Sequence, residues 1–103
     1  MNQKILRKFK KKYHKQQNKL KLAFITGATK GIGRSTATTF ANAGWDLILL
    51  SRDLEMMETL RDELSDTQSI INLVKCDLSD ENKIENSVKE AINKYGCPSV
   101  LIN

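Results

Sequence analysis

The sequence has little that would suit a secreted, membrane-spanning or metal-binding protein. Its 103 residues contain no apolar run near the ~18 residues that cross a bilayer, and no segments in the order of a secretory signal. The two cysteines, Cys76 and Cys97, form no C-x-x-C pair, and His14 stands alone. We therefore expect one small cytoplasmic domain with reduced thiols and no metal site.

Acidic residues are absent from residues 1–21, which hold nine of the seventeen lysines and arginines. The rest of the chain holds eight bases and twelve acids, a net charge of −4, so the overall charge of +5 describes a tail and predicts no specific nucleic-acid binding. Residues 1–19 are predicted to be a basic leader. Its apolar residues at helical spacing leave two interpretations open, a disordered extension or a short amphipathic helix in weak contact with an anionic surface; these residues are Ile5, Leu6, Phe9 and Tyr13.

Apolar strands and amphipathic helices alternate from residue 20 to residue 103. Continuous apolar runs predict strands at 20–26, 46–51, 69–75 and 99–103. Because strands without polar alternation are typical of parallel sheets covered on both faces, the order β-α-β-α-β-α-β predicts a doubly wound α/β sheet. We treat residues 20–103 as one incomplete domain.

Apolar stripes predict the three helices between these strands. Asp53 is a candidate cap of the second helix, and either Ser79 or Asp80 of the third. With the third helix alone on its face of the sheet, we expect the strands there to remain partly uncovered. The stripes are Ile32, Thr36, Ala37, Phe40 and Ala43; Leu54, Met57, Leu60 and Leu64; and Ile84, Val88, Ala91, Ile92 and Tyr95.

A glycine-rich turn, T-G-A-T-K-G-I-G from Thr26 to Gly33, joins the first strand to the first helix. Gly27 permits a tight turn, Gly31 lets the backbone approach a pyrophosphate, and Gly33 allows the helix to pack close to the sheet. The helix N-terminus then offers N–H groups to the phosphates. The turn therefore predicts a dinucleotide site, the alternative being a purely structural turn.

The G-x-x-x-G-x-G spacing, with Thr26 before it, small residues within it and Ile32 between the last two glycines, resembles the short-chain dehydrogenase/reductase family over residues 20–103. The resemblance implies a partial Rossmann-like sheet of strand order 3-2-1-4. It also implies a family activity of hydride transfer between a nicotinamide and a carbonyl or alcohol. In this turn it implies cofactor contacts from Gly27, Thr29, Lys30, Gly31, Ile32 and Gly33.

Three further segments lie where the family places cofactor contacts. Ser51-Arg52 ends the second strand, nineteen residues after Gly33, where the ribose is read. The pair Asp77-Leu78 follows the third strand and resembles the family's adenine contact. The fourth strand ends on Asn103, which resembles the first asparagine of the family's Asn-Asn-Ala-Gly. The alternatives are a solvated arginine, an ordinary turn aspartate and a plain strand end.

The end of the second strand also indicates which dinucleotide binds. An NAD-selective site places an acid there, whereas Ser51 and Arg52 could hydrogen-bond a 2′-phosphate. Lys30 faces the same ribose in family members with this pattern. Asp53 argues against NADP unless it caps the next helix. We therefore expect NADP(H) rather than NAD(H).

The family's acid/base tyrosine, followed four residues later by a lysine, has no match among these residues. Tyr13 is followed at that spacing by Gln17, and Tyr95 by Ser99, so we expect no catalytic residue here. One hypothesis is an inactive piece of an NADPH-dependent reductase; another is a non-catalytic module that binds a nucleotide or a partner. A third is a separate chain that supplies the remainder.

Overall fold

Four strands and three helices alternate along residues 21–102, which, together with Arg7, are the residues that the computed structural model describes. The remainder of the predicted leader, and the predicted strand ends at residues 20 and 103, lie outside them. The elements are β1 (Leu22–Thr26), α1 (Gly31–Asn42), β2 (Asp46–Ser51), α2 (Leu54–Glu63), β3 (Ile71–Lys75), α3 (Glu81–Tyr95) and β4 (Val100–Ile102).

The strands form one parallel sheet in the order β3-β2-β1-β4, which confirms the predicted doubly wound, Rossmann-like topology. Ile25 of β1 lies beside Leu49 of β2 on one side and Ile102 of β4 on the other. All five side chains of β1 are buried, as expected for a central strand covered on both faces. Because the strands are parallel, their carboxyl ends share one edge of the sheet, which we call the carboxyl edge.

The two faces of the sheet bury separate apolar clusters, in agreement with the predicted helix placement. α1 and α2 cover one face, where Ala37 and Met57 belong to the same buried cluster as Ile25, and α3 covers the other, where Val88 belongs to the same cluster as Phe24. The expectation that strands under α3 remain partly uncovered holds at β3, where Val74 on that face is only half-buried. The buried residues on this side form one cluster that includes Cys76 and Cys97; its other members are Leu22, Phe24, Ile48, Leu50, Ile84, Val88, Ala91, Ile92 and Leu101.

The apolar stripe predicted for α1 is partly wrong. Ile32 is 86% exposed and Ala43 is also exposed, whereas Ala37 and Ala41 are buried. A helix turns about 100° per residue, so Ile32, five positions before Ala37, lies about 140° around the helix from it. The buried residues of α1 are Ala37 and Ala41, and Gly33 lies on the same side one turn before Ala37; these small residues bring the helix close to the sheet.

Two other apolar predictions fail at element ends. β3 begins at Ile71, two residues later than predicted. Ser69 and Ile70 precede the strand and are held by side-chain hydrogen bonds. The Ser69 hydroxyl donates to the Ala41 carbonyl (2.9 Å), and the Asp46 carboxylate accepts from the Ile70 N–H (3.0 Å). Ile70 is exposed. Leu54, in the first turn of α2, is also exposed, while Met57, Leu60 and Leu64 are buried as predicted.

Side-chain caps begin two of the three helices. The Asp53 carboxylate accepts from the Met56 N–H (3.0 Å) and thus confirms the predicted cap of α2. Of the two candidates for α3, Asp80 is the cap, accepting from the backbone N–H groups of Asn82 and Lys83. The side chain of Lys30, which precedes α1, makes no cap hydrogen bond, so the first-turn N–H groups of α1 are left for another partner or solvent.

Two further expectations concern the cysteines and membrane-spanning helices. Neither Cys76 nor Cys97 forms a disulfide, and both are buried on the α3 side of the sheet. Among the helices described here, none has the length and apolar character needed to cross a bilayer.

Candidate functional site

The glycine turn at the end of β1 depends on backbone conformations that favour glycine. Gly27 and Gly31 have φ angles of 65° and 55°, in the left-handed region. The Gly27 N–H donates to the Leu50 carbonyl of β2 (3.3 Å), so the turn folds back over the sheet. A Cβ at Gly27 or Gly31 would meet no heavy atom within 4 Å. The constraint at these two positions is therefore the backbone angle, and the space above the turn is open.

Gly33 is required for a different reason, which is close packing. A Cβ at Gly33 would lie 2.2 Å from the carbonyl oxygen and 2.8 Å from the carbonyl carbon of Gly27. The first turn of α1 therefore rests directly on the backbone of the glycine turn. This contact fixes the uncapped N–H groups of α1 at the carboxyl edge, where the positive end of the helix dipole favours an anion.

The other turn residues divide into buried and exposed positions. Thr26 and Thr29 are 7% and 9% exposed, whereas Lys30 and Ile32 are exposed at the start of α1. The Thr26 hydroxyl donates to the Ile102 carbonyl (3.4 Å) and so joins the ends of β1 and β4. Asn103, which follows Ile102, lies outside the described residues.

The end of β2 forms a short hydrogen-bonded bend. The buried Ser51 hydroxyl accepts from the Asp53 N–H (3.1 Å), and the Asp53 carboxylate accepts in turn from α2. Arg52, between them, is exposed. The bend therefore engages the carboxylate that follows Arg52 in a helix cap and leaves the guanidinium at the carboxyl edge.

The end of β3 holds an ionised carboxylate. One oxygen of Asp77, Oδ1, accepts from the Ser79 hydroxyl (2.6 Å) and from the Ser79 N–H (3.0 Å). These two hydrogen bonds lower the pKa of the Asp77 carboxyl below its ordinary 3.8, and the positive charges of Lys83 and Arg52 lower it further, against the effect of desolvation. Leu78, the next residue, is half-buried against the α3 side of the core.

The ends of β2 and β3 form a cleft of about 410 Å³, which we call the Arg52–Asp77 cleft; it is lined by Ser51, Arg52, Asp77, Leu78 and Ser79. The structure thus brings four of the predicted site residues together. The glycine turn lies at the same edge of the sheet but does not line this cleft. Ser79 was missed as a site residue because its position in the sequence suggested only a helix cap; the Asp-x-Ser spacing, which favours local side-chain bonds to backbone N–H groups, was the available indication.

A family model described as short chain dehydrogenase matches residues 21–103. The chain belongs to the short-chain dehydrogenase family. Sulfoacetaldehyde reductase of Chromohalobacter salexigens is 42% identical over 80 residues, which are 78% of this chain and 31% of the reductase. Farnesol dehydrogenase of Aedes aegypti is 37% identical over 84 residues, 81% of this chain and 34% of that protein. The chain therefore spans about a third of the length of these curated relatives.

Solved dehydrogenase structures share this fold. An alcohol dehydrogenase from Thermococcus sibiricus, complexed with 5-hydroxy-NADP, has a TM-score of 0.74 and 29% identity over 79% of this chain and 35% of its own. A short-chain dehydrogenase from Sphingobium yanoikuyae, in complex with NADPH, has a TM-score of 0.69 and 28% identity over 80% of this chain and 32% of its own.

The residues present in this short-chain dehydrogenase chain fit a nicotinamide dinucleotide. The glycine turn is open above its backbone, α1 begins without a side-chain cap, and a cleft with an arginine and a carboxylate lies at the ends of the next two strands. A pyrophosphate needs N–H donors, and an adenosine end needs polar groups about one strand away. The carboxyl edge supplies both.

Proposed function

We propose that this chain binds NADP(H) in preference to NAD(H), as the cofactor-binding portion of an oxidoreductase that acts on a carbonyl or an alcohol. The observation that supports this best is the bend at the end of β2, where Arg52 is exposed beside the Arg52–Asp77 cleft while Asp53 is engaged as a helix cap. The NADP and NADPH complexes of the two structural relatives support the same choice.

The glycine turn would hold the pyrophosphate. The first-turn N–H groups of α1 would donate to the phosphate oxygens, from Gly31, Ile32 and Gly33. Gly27 and Thr29 would shape the turn, and the exposed Lys30 would reach the ribose side of the site. Asn103 would also contact the cofactor.

The 2′-phosphate would be read by Arg52 and Ser51. A guanidinium can donate two parallel hydrogen bonds to a phosphate, and the Ser51 hydroxyl, which already accepts from the Asp53 N–H, still has its hydrogen to donate. An NAD-selective site would instead present a carboxylate to the ribose hydroxyls. Because the Asp53 carboxylate already accepts from the Met56 N–H, it is turned toward α2.

The adenine ring would lie in the Arg52–Asp77 cleft. Leu78, half-buried against the core, would give the ring an apolar contact, and the ionised Asp77 carboxylate would accept from the base. The substrate would be a small carbonyl compound or alcohol, as in the family.

When bound, NADP(H) supplies hydride transfer at its nicotinamide ring. Because the 103-residue sequence contains no Tyr-x-x-x-Lys, we propose that these residues by themselves bind the cofactor without turning over a substrate. The alternative function is a non-catalytic module that binds the nucleotide, and it would use the same cofactor contacts. The two buried thiols, neither of which is in a disulfide, support a reducing, cytoplasmic location.

The test is a fluorescence titration of the chain with NADPH and with NADH. A charge-assisted hydrogen bond contributes about 1.5–3 kcal/mol, so Arg52→Ala should weaken NADPH roughly ten- to a hundredfold and leave NADH nearly unchanged. Arg61→Ala, an exposed arginine in the last turn of α2, is the matched control and should change neither affinity. Tighter binding of NADH, or equal weakening of both nucleotides by Arg52→Ala, would contradict the proposal.

A further inference from the structure

The Asp77 carboxylate is held by one of its two oxygens. Both Ser79 donors, the hydroxyl at 2.6 Å and the backbone N–H at 3.0 Å, bond to Oδ1. Within residues 21–102 no hydrogen bond reaches Oδ2. Two donors on one oxygen fix the plane of the carboxylate, so its second oxygen is an acceptor in a defined position.

The segment that carries these two residues is anchored at Leu78 and at Asp80, the residues on either side of Ser79. Leu78, between them, packs against the α3 side of the core. Asp80, directly after Ser79, caps α3 through two backbone N–H groups. The Ser79 hydroxyl therefore acts from a fixed backbone, and it lines the same cleft as Arg52 and Asp77.

A purine base in this cleft can be distinguished by the group on its carbon 6. The 6-amino group of adenine is a donor and suits a carboxylate oxygen, whereas the 6-oxo group of hypoxanthine is an acceptor and is repelled by it. The cleft distinguishes adenine from hypoxanthine only if an acceptor oxygen faces carbon 6 of the base. Whether one does depends on the orientation of the Asp77 carboxylate.

We propose, on the basis of the proposed dinucleotide function, that Ser79 is a positioning residue which holds Oδ1 of Asp77 so that Oδ2 reads the 6-amino group of the base. Ser79 does not itself contact the base. It makes the cleft selective for a 6-aminopurine dinucleotide over its 6-oxopurine analogue.

The experiment compares the dissociation constants of NADPH and of reduced nicotinamide hypoxanthine dinucleotide phosphate, by fluorescence titration of the whole chain. We expect the unmodified chain to bind NADPH about tenfold or more tightly than the analogue. Ser79→Ala should reduce this ratio to roughly threefold or less, mainly by weakening NADPH. Ser79→Thr keeps the hydroxyl and should therefore retain the ratio of the unmodified chain. Ser65→Ala, an exposed serine just beyond α2, is the matched control and should leave it unchanged.

A second variant tests the orientation directly. In Asp77→Asn, the Ser79 donors should engage the amide oxygen, which leaves the NH₂ group as a donor toward the base. The preference should then reverse in favour of the hypoxanthine dinucleotide, and the reversal should be lost in the double variant with Ser79→Ala. This comparison is a ratio within each variant, so a modest loss of stability does not alter it.

The outcomes separate this inference from the proposed function. If the chain binds NADPH more tightly than NADH but Ser79→Ala leaves the base preference intact, Ser79 has no positioning role and the cofactor assignment stands. Equal binding of the two bases by the unmodified chain would also overturn the inference. If the chain binds no dinucleotide, both proposals fail.

Discussion

Replacing Gly33 by alanine tests whether close packing of α1 on the glycine turn is required. The added Cβ would lie 2.2 Å from the Gly27 carbonyl oxygen, whereas an ordinary contact between carbon and a carbonyl oxygen is about 3.3 Å. The backbone of the turn and the helix must therefore separate by about 1 Å. Overpacking of this kind costs about 3 kcal/mol at the upper end of its usual range.

Helix propensity acts in the opposite direction at the same position. Alanine is favoured over glycine by about 1 kcal/mol within a helix, so the expected net loss for Gly33→Ala is about 2 kcal/mol. For a domain of this size, that loss lowers the midpoint of thermal unfolding by roughly 8–16 °C. Because the displaced first turn carries the proposed phosphate donors, the affinity for NADPH should fall as well. Circular dichroism melting and NADPH titration measure the two effects.

Gly44→Ala is the matched control at the other end of α1. Gly44 has a φ of 86° and open space where a Cβ would lie, so alanine there is strained by the backbone rather than by a clash. A non-glycine residue in this region costs about 1–3 kcal/mol, which makes the stability losses comparable. Only Gly33→Ala should weaken NADPH. A gain in stability for Gly33→Ala, or an equal loss of affinity in both variants, would refute the packing argument.

Two further predictions concern the segment between β3 and α3. Asp80→Ala removes the cap of α3 and should cost about 1 kcal/mol, or roughly 4–8 °C in the unfolding midpoint, while Asp62→Ala, at an exposed position within α2, should change the midpoint little. In the folded chain the pKa of the Asp77 carboxyl lies below its ordinary 3.8, so the ionised form stabilises the fold. This stabilisation is fully present above pH 3.8 and is lost as the pH falls through the folded pKa. The difference in midpoint between the unmodified chain and Asp77→Asn should therefore be constant from about pH 7 to about pH 5 and shrink below about pH 4; a difference that does not depend on pH would contradict this.

The topology could be predicted because several independent features of the sequence agreed. Unbroken apolar runs such as Leu47–Leu50 indicated buried parallel strands, and the glycine turn fixed where the first strand meets its helix. The stripe of α3 was confirmed from Ile84 to Ile92, since every apolar residue in it lies on one side of a 15-residue helix. The strand order followed from the family resemblance.

The failures occur where apolar residues lie at element ends. Ile32 and Leu54 occupy the first turns of their helices and Ile70 precedes β3, and all three are exposed. A periodic pattern does not show where a helix begins relative to the edge of the sheet, so a terminal residue can continue a stripe without facing the core. In α1 the position of each residue around the helix determines whether it faces the sheet. The residue of α1 that lies closest to the glycine turn is Gly33, and it has no apolar side chain by which a periodic pattern could identify it.

Four of the five residues that line the Arg52–Asp77 cleft were predicted as site residues, but the hydrogen bonds within the cleft were not. Placing Arg52 and Asp77 at the ends of neighbouring strands needed only the strand order. The link from Ser79 to Asp77 depends on side-chain conformations after β3, which sequence spacing leaves open between a helix cap and a local turn. At Asp53, where the same two arrangements were possible, a helix cap was predicted and is confirmed.

The central claim is that the dinucleotide binds at the carboxyl edge of the sheet, and amide chemical shifts in the ¹⁵N-labelled chain test it most directly. Addition of NADPH is predicted to shift the amides of residues 27–33, 51–52 and 77–79. The opposite end of α1 offers an internal comparison, because a second cleft of about 370 Å³ lies there, lined by Ala41, Asn42, Gly44, Asp66, Thr67 and Gln68. Saturable shifts confined to that second cleft, or no saturable shift at any amide, would contradict the account.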